Sequence, residues 1–121
     1  MSYEDTLDRL KEIKIEDYIW IVYIGIIILS YYSNSLEEDY LINNNQISKD
    51  KYRNILITIF SILILIYFYF MVDAYNSYKK DPSNNLLYLS LIASILIFIS
   101  GLIFLYIAIK DEDLNVELAF N

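Results

Sequence analysis

Cysteine is absent from this chain, which excludes disulfides, thiolate metal sites, thiol nucleophiles and palmitoyl anchors; histidine is absent too. Basic charge is scarce, with 9 Lys and Arg against 16 Asp and Glu and a formal net charge of −7. Nucleic acid and a polybasic lipid-binding patch both need clustered Lys or Arg, so no nucleic-acid partner is expected. Glycine occurs only at Gly25 and Gly101, which leaves no Gly-rich phosphate loop. The opening Met-Ser-Tyr lacks the glycine needed for myristoylation, and no Asn-x-Ser/Thr triplet occurs. Pro82 is the single proline.

What the chain has in excess is apolar side chains, 57% of 121 residues, which is not the composition of an ordinary soluble domain. A small multi-pass membrane protein of one domain is expected. Abundant Ile, Tyr, Asn and Lys suit an A+T-rich coding genome, and hence a bacterial cytoplasmic membrane or a viral or host membrane.

Three charge-free runs organise the chain. The clearest is 86–109, with fourteen Leu or Ile plus Phe98 and Phe104, closed on one side by Lys79, Lys80 and Asp81 and on the other by Lys110 and Asp111 to Asp113. As a helix it reaches about 36 Å, more than the roughly 30 Å hydrocarbon core. The run 54–72 lies between Arg53 and Asp73, and the run 18–36 is the weakest, its apolar part being only 18–32. Rings at the expected interfaces support spanning: Tyr18, Trp20, Tyr31 and Tyr32 in the first run, Tyr67 and Tyr69 in the second, Tyr88 and Tyr106 in the third. A cleaved signal peptide would need a basic leader and an Ala-x-Ala site, and neither accompanies the first run.

Around these runs, 1–17 reads as an amphipathic, acidic helix with Tyr3, Leu7, Leu10 and Ile13 on one side. Residues 37–53 read as a helical hairpin: the first helix continues past Glu37, Glu38 and Asp39, turns at Asn43 to Gln46, and the next helix starts with Ser48 as N-cap. Residues 73–85 are expected to form a short loop at Pro82, and 110–121 an acidic tail with Leu114, Val116, Leu118 and Phe120, frayed or loosely docked. The expected fold is all-α: three transmembrane helices, an N-terminal amphipathic helix and a hairpin between spans 1 and 2.

The chemistry is sparse. No span carries an ionisable residue of the kind transporters keep at membrane depth, and Ser30, Ser61, Ser94 and Ser100 have no base beside them. Glu37, Glu38 and Asp39 fan over about 200° of a helix and are expected to meet water, not one cation. No catalytic, cofactor-binding or metal-binding residue is expected. The expected role is a non-enzymatic membrane component acting through helix packing, as scaffold, complex subunit or immunity-type protein; the alternative is a holin-like or channel-forming oligomer. Its partners would be the lipid bilayer and either a second copy or another membrane protein.

Helix contact in lipid depends on small residues. The third run collects them: Ser94, Gly101 and Ala108 recur every seven positions, with Ser90, Ala93 and Ser100 alongside. This stripe is expected to be the main helix-packing interface, with Leu91, Phe98 and Leu105 on another face. With three spans, Arg9, Lys11, Lys14, Lys79 and Lys80 share one side and Lys49, Lys51, Arg53 and Lys110 the other, which favours a cytoplasmic N-terminus.

Overall fold

Residues 2–118 are described by a computed structural model. The fold is all-helical, with α1 (Tyr3–Asn43), α2 (Gln46–Lys80) and α3 (Asn85–Lys110) running up, down and up. Ser2 starts α1 with a capping box: its hydroxyl accepts from the Asp5 amide at 3.1 Å, and the Asp5 carboxylate accepts from the Ser2 amide at 3.4 Å. No proline or second cap breaks the helix between there and Asn43, so the expected amphipathic helix at 1–17 is not a separate element. It is the first part of one 41-residue helix, about 61 Å long.

The turn into α2 is Asn44 and Asn45 alone. Asn44 takes the left-handed conformation, φ 52°, which asparagine tolerates better than most residues. Asn45 is the N-cap of α2, its side-chain oxygen accepting from the amides of Ile47 (3.1 Å) and Ser48 (3.3 Å). Ser48, the expected cap, lies one turn too late and is buried. Pro82, lacking an amide hydrogen, stands just past the end of α2, and Asn84 caps α3 by accepting from the Leu86 amide at 3.0 Å.

α2 is the central helix, with α1 and α3 each packed along it; among the described residues α1 and α3 make no comparable contact with each other. Three ring pairs set the antiparallel register of α2 and α3: Phe60 with Phe104 (5.7 Å), Phe68 with Phe98 (5.8 Å) and Tyr78 with Tyr88 (5.7 Å). The core is mostly the inner face of α2, from Tyr52 through Leu56, Ile59, Phe60 and Leu63 to Ile66, joined by Ile26, Ala108 and Leu118. The outer faces of α1 and α3 are apolar and exposed, for example Trp20, Ile24, Ile28, Leu89, Leu96 and Ile103.

Charges fall at matched levels. Glu37 of α1 and Arg53 of α2 line one small cavity, and at the far end Glu12 and Glu16 of α1 stand near Asp73 of α2. From Arg53 to Asp73 a helix rises about 30 Å, and from Asp17 to Glu37 the same. Two helices, α2 and α3, are long and apolar enough to cross a membrane. That criterion does not select α1, so it yields two candidate spans where the sequence leads one to expect three.

The tail after α3 is more ordered than its polarity suggests. The Asp111 carboxylate accepts from the amides of Asn115 (3.0 Å) and Val116 (2.8 Å), Leu114 turns the chain at φ 56°, and Leu118 returns to the core at 5% exposure. Phe120 lies outside the described residues.

Candidate functional site

Because α1 and α3 both lean on α2 without closing on each other, space opens along α2 near its C-terminal half. The part farthest from the C-terminal end of α2, about 240 Å³, is lined by Phe60, Leu63, Tyr67, Ile97, Ser100, Gly101 and Phe104. Tyr67 and Ile97 also line a cleft of about 370 Å³ with Tyr23, Phe70, Asp73, Ala74, Ser77, Leu87, Ser90 and Ser94. Asp73 and Ser77 in turn belong to a polar mouth of about 460 Å³, shared with Asp8, Lys11, Glu12, Asn76, Lys79 and Lys80. Polarity therefore grades from apolar, through aromatic and hydroxyl, to charged of both signs.

The mouth is electrostatically incomplete. Arg9 pairs within α1, with Glu12 at 3.2 Å and Glu16 at 3.1 Å. Asp73 lies just beyond the charge-free run, and burial holds its carboxyl above the usual range. The neighbouring charge of Glu12 and a hydrogen bond with it add to the rise, Glu16 adds less, and Arg9 opposes. Lys79 leans over the Tyr75 ring at 5.5 Å. In the cleft Ser94 donates to the Ser90 carbonyl at 2.8 Å; outside these spaces, on the exposed side of α2, Ser61 and Thr58 also donate within their own helix, to Ile57 at 2.7 Å and Asn54 at 2.9 Å. Among the described residues no three His, Cys, Asp or Glu side chains gather in a way that could hold a metal ion.

The six small residues of α3 are divided. Gly101 and Ala108 are buried against α2 and Ser94 is half-buried, while Ser90, Ala93 and Ser100 are exposed, Ser90 and Ser100 as groove lining. At Gly101 a Cβ would sit 3.1 Å from Tyr67 Cδ2 and 3.4 Å from Ile64 Cγ1, so the lack of a side chain is what lets the helices close. Leu91, Phe98 and Leu105 do not occupy another face. They are half-buried on the same seam, since residues three or four apart on a helix are neighbours, and they alternate with the small residues as the large members of a heptad pattern.

Of the aromatic residues, Tyr18, Trp20, Tyr31, Tyr32, Tyr88 and Tyr106 are exposed and Tyr69 is half-buried against Phe70 at 5.4 Å. Tyr67 departs from its expected place: it lies within the bundle, against Gly101 and lining the cleft, and not at an outer edge.

The opposite end of the bundle carries polar contacts that periodicity does not reveal. Asp39, expected to be simply solvated, accepts from Asn43 Nδ2 (2.7 Å), Asn45 Nδ2 (2.8 Å) and the Ser48 hydroxyl (2.5 Å). Those donors, Ser48 first and Asn43 next, hold its carboxyl below the usual range. Arg53 Nη2 donates to the Ile109 carbonyl at 3.0 Å, and Lys49 pairs with Asp113 at 3.4 Å. The Asn run is the one signal in the sequence for Asp39, because such amides can donate to a nearby carboxylate. Comparison with protein-family models, curated proteins and solved structures finds no match to this chain.

Proposed function

We propose that this chain is a three-span membrane protein without catalytic activity, acting through helix packing as a scaffold, complex subunit or immunity-type protein, alone in several copies or with another membrane protein. The observation that carries the reading is the coincidence of charge-free bands. The 18–36 band of α1 and the 54–72 band of α2 end at the same levels, about 30 Å apart, which is close to the hydrocarbon thickness. The outward apolar faces of α1 and α3 within that band are what a bilayer would cover.

The lack of cysteine makes the test direct. Single variants Ser2→Cys, Asn44→Cys and Ser83→Cys are labelled with a membrane-impermeant thiol reagent in sealed vesicles. Three spans put Ser2 and Ser83 on one side, the cytoplasmic one, and Asn44 on the other. If only α2 and α3 cross, Ser2 and Asn44 share a side and the three-span reading fails.

A channel-forming oligomer is the second reading, favoured by the hydroxyls of Ser90, Ser94 and Ser100 along one groove. Dye leakage from liposomes carrying the purified protein would support it, and tight vesicles at high protein density would remove it.

A further inference from the structure

We infer that the groove along α2 binds one phospholipid bearing an ethanolamine headgroup, with an acyl chain between Tyr67 and Ile97 and the headgroup at the mouth formed by Lys11, Lys79, Lys80, Glu12 and Asp73. This rests on the membrane reading above and adds to it a ligand, a site and a headgroup preference.

The compartments neighbour one another in the right order. The apolar slot and the aromatic cleft share Tyr67 and Ile97, and the cleft and the charged mouth share Asp73 and Ser77. From Asp73 to Phe60 the helix rises about 20 Å, more than the roughly 15 Å depth of one leaflet, so an acyl chain fits along it without leaving the slot. The cleft, about 370 Å³, falls in the size range of small-molecule sites, and the slot adds about 240 Å³ beyond it. The Phe60 and Phe104 rings line the far end, and the Tyr67 ring, packed on Gly101, forms one wall.

Charge decides the headgroup. The mouth is lined by three bases, Lys11, Lys79 and Lys80, and three acids, Asp8, Glu12 and Asp73. A phosphate alone would meet the lysines and leave the acids facing each other; a simple cation would do the reverse. A phosphoethanolamine carries both groups a few ångströms apart, and its ammonium donates hydrogen bonds that a quaternary choline cannot. Asp73, half-buried and hydrogen-bonded to Glu12, shares the mouth with Glu12 and Asp8, and an ammonium seated beside these acids would offset their like charge.

The experiment uses the full chain purified in detergent and native mass spectrometry with added phosphatidylethanolamine, phosphatidylcholine or phosphatidylglycerol at equal concentration. A one-to-one phosphatidylethanolamine adduct is expected to persist at about tenfold lower lipid than either other adduct, the worth of one charge-assisted hydrogen bond. Asp73→Asn should reduce the preference over phosphatidylcholine. Lys79→Ala with Lys80→Ala should weaken all three lipids. Ser94→Phe should abolish the adduct by filling the cleft, with helical content unchanged by circular dichroism. Equal retention of the three lipids, an adduct indifferent to Ser94→Phe, or a lipid-free dimer in which a second copy occupies the groove would each overturn the assignment. A chain that stays in solution without detergent fails the membrane reading before any lipid is added, so the two failures are distinguishable.

Discussion

The two ends of this bundle solve the same problem in opposite ways. At the hairpin end, polar contacts bridge elements: Asp39 gathers three donors around the turn, Arg53 Nη2 reaches the Ile109 carbonyl of α3 while its Nε stays unpaired, Lys49 meets Asp113, and the cavity left over is about 30 Å³. At the Asp73 end Arg9 bonds within its own helix, acids face acids, and clefts of about 370 and 460 Å³ stand open. Contacts between elements close the first end, and acids facing one another leave the second open, so the first end reads as anchor and the second as site.

Breaking the seam that joins both ends should have the largest effect. Gly101→Leu places a branched side chain where even a Cβ would stand 3.1 Å from the Tyr67 ring, so α3 must move off α2. Overpacking of this kind costs about 1–3 kcal/mol or more, and the variant should insert normally yet melt well below the parent in detergent.

Next is the anchor. Arg53→Met keeps an unbranched, flexible stem but loses the guanidinium and with it the 3.0 Å bond to the Ile109 carbonyl, a charge-assisted contact worth about 1.5–3 kcal/mol. Lower thermal stability with faster amide exchange at the end of α3, and not at Asp73, is the expected pattern; uniform exchange would erase the distinction between the ends. Leu105→Ala should rank below it, at about 1–2 kcal/mol, because Leu105 is half-buried beside the core and a fully buried leucine costs about 2–5. If Leu105→Ala destabilises more than Gly101→Leu, the small residues are not what sets the α2–α3 distance.

Much of this architecture is legible in the residues. Charge-free runs mark α2 and α3, the Asn cluster and Pro82 mark the two turns, and Gly101 and Ala108 stand out by spacing. The continuity of α1 is readable only as the lack of a breaker between Tyr3 and Asn43, where a change of polarity at Asp17 suggests a boundary that the backbone does not need. The partners of Asp39 and Arg53 depend on where a second helix arrives, and no local pattern reports that. The groove is less legible still, since it arises from α1 and α3 each choosing α2 over one another. Leu91, Phe98 and Leu105 differ from the small residues in size but not in face, because a step of three or four turns a helix almost back to the same side.

The smallest effect is also the one that sets Asp39 and Asp73 apart by sign. Asp39 is held below its ordinary value of 3.8, so the folded state binds its proton less readily than the unfolded chain does. Its contribution is present above that value and is lost as pH falls through the lowered one, and Asp5, held low by Ser2, behaves alike. Asp73 is raised above 3.8, so it favours the folded state only when protonated: its contribution is full below 3.8 and disappears as pH rises through the raised value. Acidifying from neutrality should therefore first stabilise the bundle, as Asp73 takes its proton, and then destabilise it as Asp39 and Asp5 take theirs. Thermal melts across the acidic range should pass through a maximum. Asp73→Asn should flatten its upper limb alone and Asp39→Asn should weaken its lower limb alone; a profile that both variants change in the same way would mean that the two ends titrate as one unit and that the division into anchor and site is mistaken.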